Sequence, residues 1–155
     1  MLIFRKAGLE DMLLYFEWAN DDTVRQNAVN KKKIPLEDHA KWFSKKINTD
    51  ETLMLLCLLD NVGVGQLRID LHREKKEGII DYSVDKSARG KGLGTGILRE
   101  GKKYFFRGHK DFVLIGMVNE KNSSSISAFR KAGYEESPEK IRINNEQYLK
   151  FSAHA

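Results

Sequence analysis

The stretch Arg89-Gly90-Lys91-Gly92-Leu93-Gly94-Thr95-Gly96 constrains this chain more than any other. Glycine at every second position lets the backbone turn tightly and come close to a ligand. Ahead of it lies Ile79-Ile80-Asp81-Tyr82-Ser83-Val84, strand-like in its β-branched and aromatic content. Behind it, Ile97 to Phe106 reads as a helix. A strand, a glycine-rich turn and a helix start in succession bring unpartnered first-turn N–H groups and the positive end of a helix dipole to one place. Arg89 and Lys91 add side-chain charge. The stretch predicts an anion site, with a phosphate or pyrophosphate as the fitting ligand.

Two common phosphate motifs are excluded by spacing. A P-loop needs Gly-Lys-Ser/Thr, and no such triplet occurs. The dinucleotide fingerprint G-x-G-x-x-G would put its third glycine on Ile97 or Thr95. A third pattern, Arg/Gln-x-x-Gly-x-Gly/Ala, fits as Arg89-x-x-Gly92-x-Gly94. This resembles the pyrophosphate arm of the GCN5-related N-acetyltransferase (GNAT) family, which holds coenzyme A.

The rest of the chain predicts a matching scaffold. Leu2-Ile3-Phe4-Arg5 reads as a first strand, broken at Gly8. Glu10 and Asp11 suit a helix N-terminus, and Met12, Leu13, Tyr15, Phe16 and Ala19 give that helix an apolar face. Asn20-Asp21-Asp22 ends it and caps a short helix over Thr23 to Ala28. A polar, basic loop spans Asn27 to Lys33, and Pro35 opens a helix with Leu36, Ala40, Trp42, Phe43 and Ile47 on its apolar side. Thr52 to Leu59 is almost continuously apolar, as in a strand covered on both faces. Asp60-Asn61-Val62-Gly63 signals a hairpin, Val64 to His72 returns as an alternating strand, and Glu77 to Val84 feeds the glycine loop. Phe112 to Val118 is a further buried strand, and Asn122 to Ala132 a helix stopped by Gly133. Tyr134-Glu135 and Gln147 to Ser152 suggest two closing strands around a turn at Pro138 to Asn145. The expected fold is α/β (α+β), one domain over residues 1–155, with a mixed central sheet of six to seven strands and helices on both faces. That element order is also the GNAT order.

Composition narrows the classes. With 41% hydrophobic and 32% charged residues, the chain can pack a core and expose a polar surface. No apolar run approaches the ~20 residues of a membrane span, and the N-terminus runs straight into strand pattern, so no signal peptide is expected. The single Cys57 lies inside an apolar run and has neither a disulfide partner nor metal-site companions. A buried core thiol and a cytoplasmic protein are expected. The net charge of +5 comes from scattered lysines and arginines, with no nucleic-acid module among them.

A second block strengthens the resemblance. The family commonly shows an Asn, a small residue three on, an aromatic seven on, then Lys-x-Gly-Phe/Tyr; here these are Asn122, Ser125, Phe129, Lys131, Gly133 and Tyr134. The resemblance implies transfer of an acetyl group from acetyl-CoA to a primary amine by direct attack. Pantetheine would pair with main-chain groups around Ser83 and Val84. The pyrophosphate would sit on the amides of Gly90, Lys91, Gly92, Leu93, Gly94 and Thr95. Asn122, Ser125, Phe129 and Lys131 would complete the cofactor side, and a backbone N–H near Ser83 would serve the oxyanion. An alkyl ammonium of pKa ~10 must lose a proton before it attacks. Asp81 is the candidate base, since strand alternation puts it on the face of Ser83. Many family members carry Glu two residues earlier, where this chain has Ile79. A polar residue on a solvated strand face, or a partner for Arg68, is the alternative reading of Asp81. Family members often have a Tyr acid where this chain has Phe129, so no acid is assigned.

Asn20-Asp21-Asp22-x-Val24-Arg25 and Ile34-x-x-Glu37-x-His39-x-x-Trp42-Phe43 are similar to a subgroup acetylating amino sugars on nucleotide carriers, as in pseudaminic-acid-type pathways. On that reading Glu37, His39 and Trp42 face the acceptor; the competing reading makes Trp42 and Phe43 core residues and His39 a packing residue. The expected partner is a small-molecule amine, with neither nucleic acid nor membrane, in a monomer or homodimer. Acetylation of a protein N-terminus or a polyamine, and a non-catalytic coenzyme-A-binding domain, are the alternative functions.

Overall fold

In the computed structural model, which describes all of residues 1–155, the strands are β1 (Leu2–Lys6), β2 (Thr52–Leu59), β3 (Val62–His72), β4 (Glu77–Val84), β5 (Val113–Asn119), β6 (Glu135–Ile143) and β7 (Glu146–Ala153). The helices are α1 (Met12–Ala19), α2 (Asp22–Asn27), α3 (Leu36–Ile47), α4 (Leu93–Phe106) and α5 (Ser123–Lys131). All seven strands join one sheet in the order β1-β2-β3-β4-β5-β7-β6. Only β4 and β5 run parallel; every other neighbouring pair is antiparallel.

Side-chain alternation along β2 divides the core in two. Leu55 and Cys57 point into the larger cluster with Leu67, Leu98, Phe105 and Phe151, under α4 and α5. Met54 and Leu56 point the other way and join Tyr15, Trp18 and Phe43 from α1 and α3. The apolar run is thus covered on both faces, as expected, and Cys57 is fully buried. Tyr15 bridges the layers by donating its hydroxyl to the Leu55 carbonyl at 2.7 Å. Helix α4 lies directly on the sheet: a Cβ at Gly101 would meet Leu67 at 2.3 Å.

Three expectations are corrected. Helix α4 starts at Leu93, so Gly94, Thr95 and Gly96 belong to its first turn. Asp11 is more than a dipole partner: it is buried and takes both arms of Arg5 at 2.7 and 2.8 Å, fastening the turn before α1 to β1. The last hairpin turns at Asn144-Asn145, both in the left-handed region, and β6 runs through Pro138. Its register shifts between Glu136 and Lys140 and it is an edge strand, where a residue without an N–H is tolerated.

The parallel pairing of β4 with β5 stops early. It joins Glu77–Ile80 to Val113–Gly116 and goes no further, although β4 continues to Val84 and β5 to Asn119. A gap therefore opens between their C-terminal ends, where the glycine loop begins.

Candidate active site

A cavity of about 820 Å³ occupies this gap. The glycine loop and α5 form one side of it, and β3, β4 and the N-terminal helices form the other.

The loop side is made of backbone. Gly90 and Gly92 have φ of +77° and +76°, a region open to glycine at little strain, and a Cβ at either would meet nothing within 4 Å. Gly92 caps α4 without a side-chain hydrogen bond. The first helical N–H with an acceptor belongs to Gly96, which bonds to Gly92 O at 3.2 Å. The amides from Gly90 to Thr95 have no acceptor within the protein. Consecutive free amides at a helix N-terminus fit a pyrophosphate, and the open space in front of the glycines admits one.

Side chains in this loop brace it. Arg89 donates from Nε to Val84 O at 3.1 Å and from Nη2 to Asp21 Oδ1 at 2.9 Å, so its charge is paired with the α1–α2 junction instead of standing free for phosphate. Burial works against ionising Asp21, but the Arg89 hydrogen bond and the Val24 amide outweigh it and hold the carboxyl below its ordinary value. Trp18 Nε1 donates to Asp85 Oδ2 at 2.8 Å, a second tie between α1 and the loop. Lys91 is exposed and lies outside the cavity wall.

On β4, alternation holds as expected. Asp81 and Ser83 share a face, and Gln66 Nε2 donates to both, at 3.0 Å to Asp81 Oδ2 and 3.3 Å to Ser83 Oγ. Asp81 therefore pairs with Gln66, while Arg68 pairs with Asp70 at 3.1 Å. Tyr82 points to the opposite face, where it donates to Ser125 Oγ at 2.9 Å. Burial raises the Tyr82 phenol above its usual range. The Asp85 N–H bonds to Val64 O at 2.8 Å. Counting back along the antiparallel ladder, the main-chain groups of Ser83 and Asp81 also turn toward β3, which leaves the Tyr82 and Val84 amides facing the gap. The Val84 carbonyl is already used by Arg89.

On α5, Asn122 caps the helix by accepting from the Ser125 N–H at 3.2 Å, and Ser125 positions Tyr82. Phe129 is buried, stacked on Phe151 at 5.1 Å and edge-on to Tyr82 and Tyr134. Gly116 makes room for it, since a Cβ there would meet the Phe129 ring at 2.5 Å. Lys131 reaches the cavity from the last turn.

The N-terminal helices close the other side. His39 is buried, donates from Nε2 to Met12 O at 3.0 Å and stacks against Phe43. Burial lowers its pKa, which favours the neutral ring. Phe43 is wholly core, whereas Trp42 lines the cavity and carries the Arg68 guanidinium over its ring at 5.1 Å. Glu37 does not reach the cavity; it is exposed and pairs with Lys41 at 3.3 Å. Helical spacing relates residues to one another but does not say which stripe turns inward.

Three side chains with no site role in the sequence reading stand out, Arg25 among them although it belongs to the Asn20–Arg25 pattern. Buried side-chain polar atoms without a partner occur at Arg25 Nε, Gln66 Oε1 and Tyr148 OH, and all three residues line this cavity. Such orphans are rare in native structures. Gln66 carried a faint signal, as the polar face of an alternating strand. Tyr148 carried none: it arrives beside Asn119 only through the β5–β7 pairing.

A model of the acetyltransferase (GNAT) domain matches residues 1–135. No curated protein matches the sequence. Among solved structures, a spermidine N-acetyltransferase from Vibrio cholerae, in complex with CoA and spermine, is similar at a TM-score of 0.86 and 12% identity, covering 98% of this chain and 94% of that one. The aminoglycoside acetyltransferase AAC(6')-Ib, with ribostamycin and coenzyme A, is similar at 0.85 and 16%, covering 99% and 93%. RimL, a ribosomal L7/L12 alpha-N-protein acetyltransferase in complex with coenzyme A, is similar at 0.83 and 16%, also covering 99% and 93%. These likenesses show the seven-stranded GNAT fold.

Proposed function

Because the chain belongs to the acetyltransferase (GNAT) domain family, we propose that residues 1–155 form one domain that acetylates the amino group of a nucleotide-linked amino sugar. The reaction class is acetyl-CoA-dependent N-acetyl transfer; the acceptor and the residue roles are our reading. The observation that carries it is the junction of two things in one cavity. A run of free amides at Gly90–Thr95 is ready for the cofactor's pyrophosphate, and a carboxylate, Asp81, sits on the adjoining strand.

Acetyl-CoA supplies the acetyl group as a thioester, and the amine nitrogen bonds to its carbonyl carbon as the carbon–sulfur bond breaks. Asp81 takes a proton from the incoming ammonium, directly or through a water, and Gln66 Nε2 holds the carboxylate in place. The Tyr82 and Val84 amides face the gap, so one of them donates to the developing oxyanion, in place of the Ser83 amide. Phe129 offers no proton to the departing sulfur. A thiol of pKa ~8.5 leaves as thiolate at about 2 kcal/mol near neutral pH, so water at the cavity mouth is a sufficient donor. Arg68 and Arg89 are neutralised by Asp70 and Asp21, so the cavity wall sets Arg25 and Lys131 against the single carboxylate of Asp81; it has no acidic excess to draw a polycationic acceptor. No helix is long and apolar enough to cross a membrane. A cytoplasmic site of action fits the buried free thiol of Cys57 and a nucleotide-linked acceptor.

The test is release of free thiol from acetyl-CoA in the presence of a panel of amines. Nucleotide-linked amino sugars should give the highest kcat/KM, above spermidine, aminoglycosides and peptide N-termini. A peptide or polyamine at the top of the ranking would replace this acceptor. No turnover with any amine, despite tight acetyl-CoA binding, would favour a non-catalytic coenzyme-A-binding domain.

A further inference from the structure

We infer that the acceptor is an amine carrying its own negative charge, a phosphate or a carboxylate, with Arg25 holding the anion while Asp81 and Gln66 hold the amine. The inference rests on the acetyl-transfer reading above. It starts from the orphaned atoms. Gln66 spends its Nε2 on Asp81 and Ser83, and its Oε1 is buried with nothing to accept from. That oxygen and the Asp81 carboxylate are acceptors on one face of the sheet, which suits an ammonium with several N–H bonds to give.

Arg25 presents the opposite chemistry. Its Nη1 donates to the carbonyls of Asn30 at 2.8 Å and Lys32 at 3.3 Å, which holds the guanidinium at the end of α2. Its Nε is buried without a partner, and no carboxylate pairs with it. The other cavity arginines are committed, Arg68 to Asp70 and Arg89 to Asp21. Arg25 is therefore the arginine of the cavity wall left without a counter-ion. Burial lowers its pKa, and the opposing influence is the charge of Asp81. A half-buried guanidinium with unused N–H groups is suited to phosphate or carboxylate, which its planar fork binds in two-point fashion. The backbone of Asn30 and Lys32 fixes its aim, so the anion would be met at a set distance from the amine. A dipositive amine would meet Arg25 as a like charge.

The experiment uses the full chain saturated with CoA, so that the glycine-loop cradle is already filled. Uridine diphosphate is titrated into this complex by calorimetry, and glutamate in a parallel arm. The expected result is saturable binding of one of the two, which identifies the anion as phosphate or carboxylate. Arg25→Gln should weaken it about tenfold or more and Arg25→Lys less, with thermal melts showing both variants folded. Turnover is then compared for glucosamine and glucosamine 1-phosphate, and for an α-amino acid and its amide. The anionic member of the favoured pair should lead by about tenfold or more, and Arg25→Gln should bring the ratio within about threefold of one. Equal rates for charged and uncharged members, or a ratio that survives Arg25→Gln, would overturn the inference. If nothing is acetylated, acetyl transfer to these amines fails while the calorimetry still decides the anion site. Anion binding that Arg25→Gln does not weaken overturns it there too.

Discussion

The two sides of the cavity are built from different materials. On the glycine-loop side, consecutive main-chain amides from Gly90 to Thr95 stand without acceptors, and the side chains nearby brace the loop or pack beneath it. On the opposite side, side chains from α2, α3, β3, β4 and β7 converge, and three of their buried polar atoms have no partner. A backbone cradle needs only the left-handed turns at Gly90 and Gly92 and the helix that follows. A side-chain cage needs particular residues brought together from distant parts of the chain. On the proposed reading the first meets a part common to all acetyl-CoA reactions, and the second is free to change with the acceptor.

The comparison is most severely tested at Asp81, where the two sides meet. Asp81→Asn should lower kcat/KM at pH 7 on the order of 10²-fold, as expected for loss of a general base. The deficit should shrink as pH rises toward the amine pKa of ~10, because free amine then needs no assistance. A pH–rate profile of the variant with near-normal kcat/KM at pH 7 would remove Asp81 from this role.

Gly92→Val strikes the backbone side alone. A β-branched residue at φ +76° is strained, and relief of that strain would move the first amides of α4. Acetyl-CoA affinity measured by calorimetry should fall about tenfold or more, ~1.4 kcal/mol. Unchanged affinity in a folded variant would show that the amides are not the phosphate site.

Tyr148→Phe strikes the side-chain side, and it separates fold from function by sign. Removing a buried hydroxyl that has no partner should leave stability unchanged or raise it by about 1 kcal/mol. The acceptor KM should rise several-fold, on the order of one lost hydrogen bond, with acetyl-CoA affinity unmoved. Chemical denaturation and initial rates on one preparation check both, and a drop in stability would mean that the hydroxyl has a partner.

The smallest effect is expected at Glu37. Exposed and paired only with Lys41, it should change kcat/KM by less than about twofold when replaced by Ala, because exposed pairs contribute little. A larger loss of acceptor affinity would return Glu37 to the acceptor site.

Much of the fold was legible before any coordinates. The two-sided apolar pattern of β2, the alternation of β3 and β4, and the helix stopped by Gly133 are local, and each followed from neighbours a few residues away. Pro138 misled because its missing N–H argues against a strand in general, and only the position of β6 at the sheet edge makes it harmless. Of the three residues expected to face the acceptor, His39 and Trp42 line the cavity and Glu37, on the same helix, does not.

By itself the sequence determined the glycine turn, because a spacing that dictates left-handed residues between a strand and a helix is a property of contiguous residues. It also determined which strand carries Asp81 and that Ser83 shares its face, since period-two alternation needs no partner strand. Tertiary structure alone decided where the β4–β5 pairing ends, that Arg89 is tied to Asp21, and that Arg25, Gln66 and Tyr148 gather around one cavity. Those outcomes depend on residues far apart in the chain, 68 positions in the case of Arg89 and Asp21. Their hydrogen-bond partners, or the lack of them, are set by packing, which no local pattern encodes.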